Sequence, residues 1–312
     1  MPALPRVRRR ALAVLAATIA VLAPVAACGA PAGRSAASGT TWASPSATPP
    51  ATAGPTSSAG APGTGTTASA SGSAVPGVTE HSPPDLVALS DVDPTILQDI
   101  RYATAHNFVG RPITGYQEPL CILTRQAAEA LHRVQTAARA RGYSVKVYDC
   151  YRPQRAVDDF TSWGPKMDDQ RTKAEFYPRL DKSVLFHDGY IAGPTAHSRG
   201  STMDLTLVAL PAPAQRPYVP GEKLAPCTAP QAQRFPDNSV DMGTGFDCFD
   251  SLAHTLDPRV TGPARDNRLL LKQLMGDAGF TNYDQEWWHY SLRNEPYPHT
   301  YFDFPVARAA VS

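Results

Sequence analysis

The chain has 312 residues, and its 29 Lys and Arg against 28 Asp and Glu give a formal net charge of +1. That balance, with no clustered basic stripe and no nucleic-acid motif, argues against nucleic acid or another polyelectrolyte as partner. The length leaves room for one domain with a substantial core, beside regions whose composition forbids one.

The first of those regions is the start of the chain. Arg6, Arg8, Arg9 and Arg10 precede an apolar run over residues 11–27 that ends Val25-Ala26-Ala27-Cys28. Basic, apolar, then small residues is the order of an export signal, and the run is at the short limit for a bilayer span. The terminal cysteine resembles a bacterial lipobox. Residues 1–28 are therefore read as a lipoprotein signal peptide, with Cys28 the lipidated anchor that holds the mature chain at the membrane, facing the cell wall. An ordinary signal peptide with a chance cysteine and an uncleaved anchor are the alternatives.

Residues 29–82 are mostly Ala, Gly, Ser, Thr and Pro, with Trp42 as the aromatic exception. Too little apolar surface is present to offset chain entropy, so a disordered tether is expected. Residues 83–312 are expected to form the folded domain. Cys121, Cys150, Cys227 and Cys248 lie within it, an even set in an exported chain, which reads as two disulfides. Of the three possible pairings, Cys121–Cys150 with Cys227–Cys248 is preferred, because each closes a local loop flanked by predicted structure.

Along the domain, residues 96–102 form a short mixed segment leading into an extended loop. Thr124 has the chemistry of a helix N-cap, and Ala127, Ala130, Leu131, Val134 and Ala138 make an apolar stripe on a helix over 126–141, stopped at Gly142. Residues 144–149 alternate as a half-buried strand. Pro153 suits the first turn of a second helix reaching about Trp163, which leaves Arg152 at a strand-to-helix junction. A strand over 201–207, a Pro- and Gly-rich surface loop over 209–246 pinned by Cys227–Cys248, a helix over 265–278, and a last strand containing 287–292 follow. The expected class is α+β, a mainly antiparallel sheet with helices on one face.

His197, Asp204, Glu286 and His289 carry the chemistry. Two imidazoles and a carboxylate with one position open is how a catalytic zinc is usually held, and such an ion lowers the pKa of bound water to about 7. Strand alternation puts Asp204 with Thr202 and Thr206, opposite Met203 and Leu205, so a merely solvated carboxylate is the competing reading. Glu286 and His289 share a face only if the backbone bends near Trp287 and Trp288. Within that set Glu286 suits a general base better than a ligand. The two tryptophans serve equally as site walls or as core. Arg152 is a candidate for stabilising an oxyanion, or half of a structural ion pair.

With Tyr148-Asp-Cys-Tyr-Arg152-Pro, His197-Ser-Arg-Gly-Ser-Thr-Met-Asp204-Leu-Thr-Leu, Met242-Gly-Thr-Gly-Phe-Asp247, Glu286-Trp-Trp-His289-Tyr and Pro296-Tyr-Pro-His-Thr-Tyr-Phe-Asp-Phe-Pro in order, the chain resembles the D-alanyl-D-alanine dipeptidases, zinc enzymes associated with glycopeptide resistance and cell-wall turnover. The resemblance runs from about Arg101 to Pro305. It implies the fold of the zinc D-Ala-D-Ala carboxypeptidases and the Hedgehog signalling domain. It also implies one zinc ion on His197, Asp204 and His289, Glu286 as acid/base and Arg152 at the transition state. Tyr102 and Asp247 would read the substrate's free amino group, with Tyr190 and Thr195 along the cavity. Thr195 stands where the family often has Ser, and Ala196 and the four cysteines are subgroup features. The expected activity is hydrolysis of a small D,D-dipeptide, D-Ala-D-Ala, to two D-alanines outside the cytoplasm. A D,D-carboxypeptidase trimming peptidoglycan stems is the alternative, and a wall-binding module without turnover the non-enzymatic rival. No protein partner is expected.

Overall fold

The computed structural model describes residues 78–311 except 192 and 194. The expected signal peptide, Cys28 and the expected tether as far as residue 77 lie outside these residues, whereas 78–82, the end of that expected tether, lie within them.

In chain order the elements are β1 (Val78–Thr79), β2 (Leu86–Ala88), α1 (Leu89–Val92), β3 (Leu97–Gln98), β4 (Ile122–Thr124), α2 (Arg125–Arg139), β5 (Tyr143–Asp149), α3 (Gln154–Trp163), α4 (Lys173–Phe176), β6 (Thr202–Ala209), α5 (Gly262–Asp277), β7 (Phe280–Asn282), β8 (His289–Leu292) and β9 (Tyr301–Phe302). The architecture is mixed α+β. Its main sheet has five strands in the order β3-β5-β6-β8-β7, antiparallel except where β3 runs parallel to β5. Two small sheets, β1 with β9 and β2 with β4, stand apart from it.

Local chemistry explains the long helices. Thr124 Oγ1 accepts from the Ala127 amide and caps α2, whose stripe of Ala127, Ala130, Leu131, Val134 and Ala138 is buried. Beyond the helix end, Gly142 takes φ +80°, which a Cβ would oppose. Helix α5 begins at Gly262, three residues earlier than the apolar pattern predicts, because Pro263 occupies its first turn. Helices α2 and α5 pack against one another and against strands of the main sheet. Cys121–Cys150 ties the residue before β4 to the end of β5, and Cys227–Cys248 closes a second loop.

Two expectations need correction. Strand β5 is not half-buried, since Ser144, Lys146 and Tyr148 are as inaccessible as Val145 and Val147. The reason is the segment after β6, read from its prolines as a surface loop. It folds back over that face of β5, so that Lys146 Nζ donates to Gln215 Oε1, Asn238 Oδ1 and the Asp237 carbonyl, and the Tyr148 ring stacks on Phe246 at 4.4 Å. Burial lowers the Lys146 ammonium to about 8. Second, residues 283–288 are a turn between β7 and β8 rather than part of a strand.

Candidate active site

Three adjacent strands set a row of polar side chains side by side. In the strand register Asp149 at the end of β5 lies opposite Asp204 on β6, and Asp204 lies opposite His289, the first residue of β8. The register of β5 against β6 shifts between Val147 and Asp149, an irregularity next to the site. Alternation then places Met203 and Leu205 in the apolar core.

His197 reaches the same point from a single 3-10 turn, Ala196–Arg199, whose N-cap Thr195 accepts from the His197 amide. Gly200 ends that turn at φ +78° and returns the chain into β6. His197 Nδ1 donates to the Cys150 carbonyl at 2.7 Å, which leaves the Nε2 lone pair free. That Nε2 is 3.3 Å from both Asp204 Oδ1 and His289 Nδ1, and His289 Nδ1 is 3.1 Å from the same Oδ1. Asp204 Oδ1 is buried without a hydrogen-bond partner. Two imidazole nitrogens and one carboxylate oxygen, all within 4.8 Å of one another, fit the donor set of a zinc ion. Burial alone would raise the Asp204 carboxyl, but the two imidazoles hold it well below the usual carboxylate range.

The bend anticipated near the tryptophans is the β7–β8 turn. The Glu286 amide donates to the Tyr283 carbonyl and the His289 amide to the Glu286 carbonyl, so Glu286 and His289 share one side of it. Glu286 Oε2 is 3.4 Å from His289 Nδ1. Burial and the nearby Asp204 charge push the Glu286 carboxyl up to about 7 against the pull of His289 and Arg152. The two tryptophans divide the roles left open for them: Trp288 lines the same cavity as Glu286. Trp287 turns away, its Nε1 donating to Thr244 Oγ1 in a buried contact.

Arg152 is fixed by two residues that the motifs had marked, Asp204 and Tyr102, and by one they had not, Asp149. Its Nε donates to Asp149 Oδ2 at 2.9 Å and its Nη2 lies 3.5 Å from Asp204 Oδ2. The guanidinium carbon sits 4.9 Å from the centre of the Tyr102 ring. Asp149 is fully buried and its other oxygen accepts from the Tyr116 hydroxyl at 2.6 Å. The ion-pair reading and the oxyanion reading of Arg152 are thus compatible, since the pair orients the group. A carboxylate three residues before an arginine at a strand-to-helix junction was the available sign of Asp149. The Cys150 carbonyl left none, because a backbone group has no side-chain identity to read.

Tyr102 donates its hydroxyl to Asp247 Oδ2 at 2.9 Å, and both are buried. Burial first, then the Asp204 charge, holds the Asp247 carboxyl well above its ordinary range. Tyr190 is half-buried, its ring 5.9 Å from Phe249. Tyr102, Arg152, Tyr190, Thr195, His197, Asp204, Asp247, Glu286 and His289 all line one cavity of about 310 Å³, joined by Phe108, Phe160 and Tyr283. That volume is near the lower end of the roughly 300–1,000 Å³ common for small-molecule sites.

The sequence profile of the family described as D-ala-D-ala dipeptidase matches residues 83–212 and 235–307. The chain belongs to this family. It is 38% identical to the D-alanyl-D-alanine dipeptidase of Streptomyces coelicolor over 72% of this chain and 98% of that one. It is 37% identical to the D-alanyl-D-alanine dipeptidase of Enterococcus faecium over 67% of this chain and 91% of that one. The D-alanyl-D-alanine dipeptidase of Escherichia coli is 30% identical over 67% of this chain and 84% of its own length. Both matched blocks of the dipeptidase profile carry site residues, Tyr102 to Asp204 in the first and Asp247 to His289 in the second. Between the blocks lies 213–234, unmatched by the profile and containing Cys227.

Proposed function

We propose that this chain is an exported zinc D,D-dipeptidase that hydrolyses D-Ala-D-Ala to two D-alanines. The observation that carries the reading is the cavity itself, in which a buried acid, Asp247, shares one small chamber with His197, Asp204, His289 and Glu286. Names of relatives over most of the folded length support the same substrate. The mixed α+β architecture and the family match support the fold that the resemblance implies, shared with zinc D-Ala-D-Ala carboxypeptidases and the Hedgehog signalling domain.

In this mechanism His197, Asp204 and His289 would hold the ion, which when bound would supply a Lewis acid for the scissile carbonyl and the attacking water. Glu286 takes the proton from that water and passes it to the leaving amine. Arg152, held by Asp149, donates toward the oxygen on which negative charge develops. Asp247 and the Tyr102 oxygen accept from the substrate ammonium, so a blocked amine loses a charge-assisted contact at this buried carboxyl. Tyr190 and Thr195 bound the chamber.

The signal-like residues 1–28 support export and anchoring through Cys28, with 29–82 as the tether. Outside the cytoplasm such an enzyme would salvage dipeptide or trim peptides, away from the cytoplasmic precursor pool. Purified zinc-loaded protein should cleave D-Ala-D-Ala much faster than its N-acetyl analogue. Comparable rates on the two would sink the dipeptidase reading and favour a carboxypeptidase of stem peptides. In cells Cys28→Ala should shift the protein from the membrane fraction to the soluble one.

A further inference from the structure

Asp247 adopts φ +54°, a left-handed conformation that a non-glycine residue keeps only where its surroundings impose it. The surroundings here are specific. Gly245, two residues before, donates its amide to the Cys227 carbonyl at 2.8 Å, and Cys227 donates its own amide to the Glu175 carbonyl at 2.7 Å. Phe249, two residues after, donates to the Phe176 carbonyl at 2.8 Å. Cys248, the next residue after Asp247, is bonded to Cys227, and both sulfur-bearing residues are buried. The backbone of Asp247 is therefore clamped between anchors on α4, with the disulfide as the covalent arm. Tyr102 contributes the hydrogen bond that holds its carboxylate from across the chamber.

Cys227 belongs to 213–234, the stretch that the dipeptidase profile skips. We infer that the Cys227–Cys248 disulfide is a positioning element for Asp247, through which this unmatched stretch sets how strictly the enzyme demands a free amino group. The inference rests on Asp247 being the group that accepts the substrate ammonium. A carboxylate displaced by about 1 Å would weaken that contact while leaving the zinc ligands, Glu286 and Arg152 in place.

The test uses the full-length, zinc-loaded enzyme with Cys227→Ser and Cys248→Ser combined. Steady-state constants are measured on D-Ala-D-Ala and on N-acetyl-D-Ala-D-Ala, with zinc content on the same samples. Expected are a KM for the free dipeptide raised on the order of 10- to 100-fold, a kcat changed by less than about threefold, and a preference for the free amine reduced in proportion to the KM change. Zinc content should stay at the wild-type level. A folded, loaded variant that keeps the wild-type KM and preference overturns the inference and makes the bridge a scaffold. Should that variant not fold, Gly245→Val presses on the same clamp with the disulfide intact, because a Cβ added at Gly245 would stand 3.5 Å from the Cys227 Cβ, in contact, and the two further methyls of valine would crowd that contact. It should show the same loss of preference, and retention of the preference overturns the inference. The two ideas fail differently: wild-type enzyme indifferent to acetylation removes the functional reading and this inference with it. Wild-type preference that survives in the variants removes only the inference.

Discussion

Asp149 and Asp204 stand opposite one another on neighbouring strands, and Arg152 spans them, 2.9 Å from one carboxylate and 3.5 Å from the other. Two buried acids in register would repel each other, and the guanidinium between them offsets that repulsion. The same geometry spends one face of Arg152 on orientation and leaves the group at the wall of the reaction chamber.

Replacing Asp149 with Asn should therefore act through Arg152. The side chain keeps its size and still accepts one hydrogen bond, but the charge that orients the guanidinium is lost. Activity should fall by a factor on the order of 100, mostly in kcat, with zinc content retained. Steady-state kinetics with metal analysis checks this, and an unchanged kcat would reduce Asp149 to a structural role.

Glu286→Gln preserves shape and removes the base. A loss in kcat of roughly 100- to 10,000-fold is expected, with the zinc stoichiometry of the wild type. Retained turnover would reassign the proton transfer to another group in the chamber.

Removing the metal should loosen the row formed by His197, Asp204 and His289, whose ligand atoms face one another and of which Asp204 Oδ1 has no hydrogen-bond partner. Chelation should lower the melting temperature, and restored zinc at about 1,000-fold over Kd should recover on the order of 4 kcal/mol. Asp204→Ala should lose most of that recovery, whereas equal zinc stabilisation of variant and wild type would place the ion elsewhere.

Acid stability should report a cluster away from the reaction. Burial tends to raise the Asp99 carboxyl, but Arg101 and Lys146 bring it down to about 2 from a reference of 3.8. A depressed carboxylate stabilises the fold above its unfolded pKa, and that contribution disappears as pH falls through the folded value. Asp99→Asn should cost about 2 kcal/mol at neutral pH. In urea unfolding followed against pH, the gap to wild type should close between about pH 4 and pH 2, and a gap independent of pH would contradict the assignment.

Much of the site was legible because its residues sit in short, ordered motifs whose local geometry is set nearby in sequence. His197 and Asp204 flank a glycine that turns the chain, and Glu286 and His289 are close enough for one turn to join them. Helix α2 was readable for the same local reason, its cap and stripe being consecutive. The burial of Lys146 was not, since the groups that satisfy it, Gln215, Asp237 and Asn238, lie far along the chain. Alternation in β5 correctly marked two faces, but it could not say that a proline-rich segment would cover the polar one.

By itself, then, the sequence determined which side chains could do the chemistry and which short segments would be helix or strand, because periodicity, caps and motif spacing are local properties. Tertiary structure alone decided what surrounds them. The strand register put Asp149, Asp204 and His289 in a row, the turn aimed Trp288 rather than Trp287 at the chamber, and the Cys150 carbonyl chose the nitrogen that His197 turns to its partners. Those choices come from packing between segments distant in the chain, where burial makes every unpaired polar group costly and so selects one arrangement of partners.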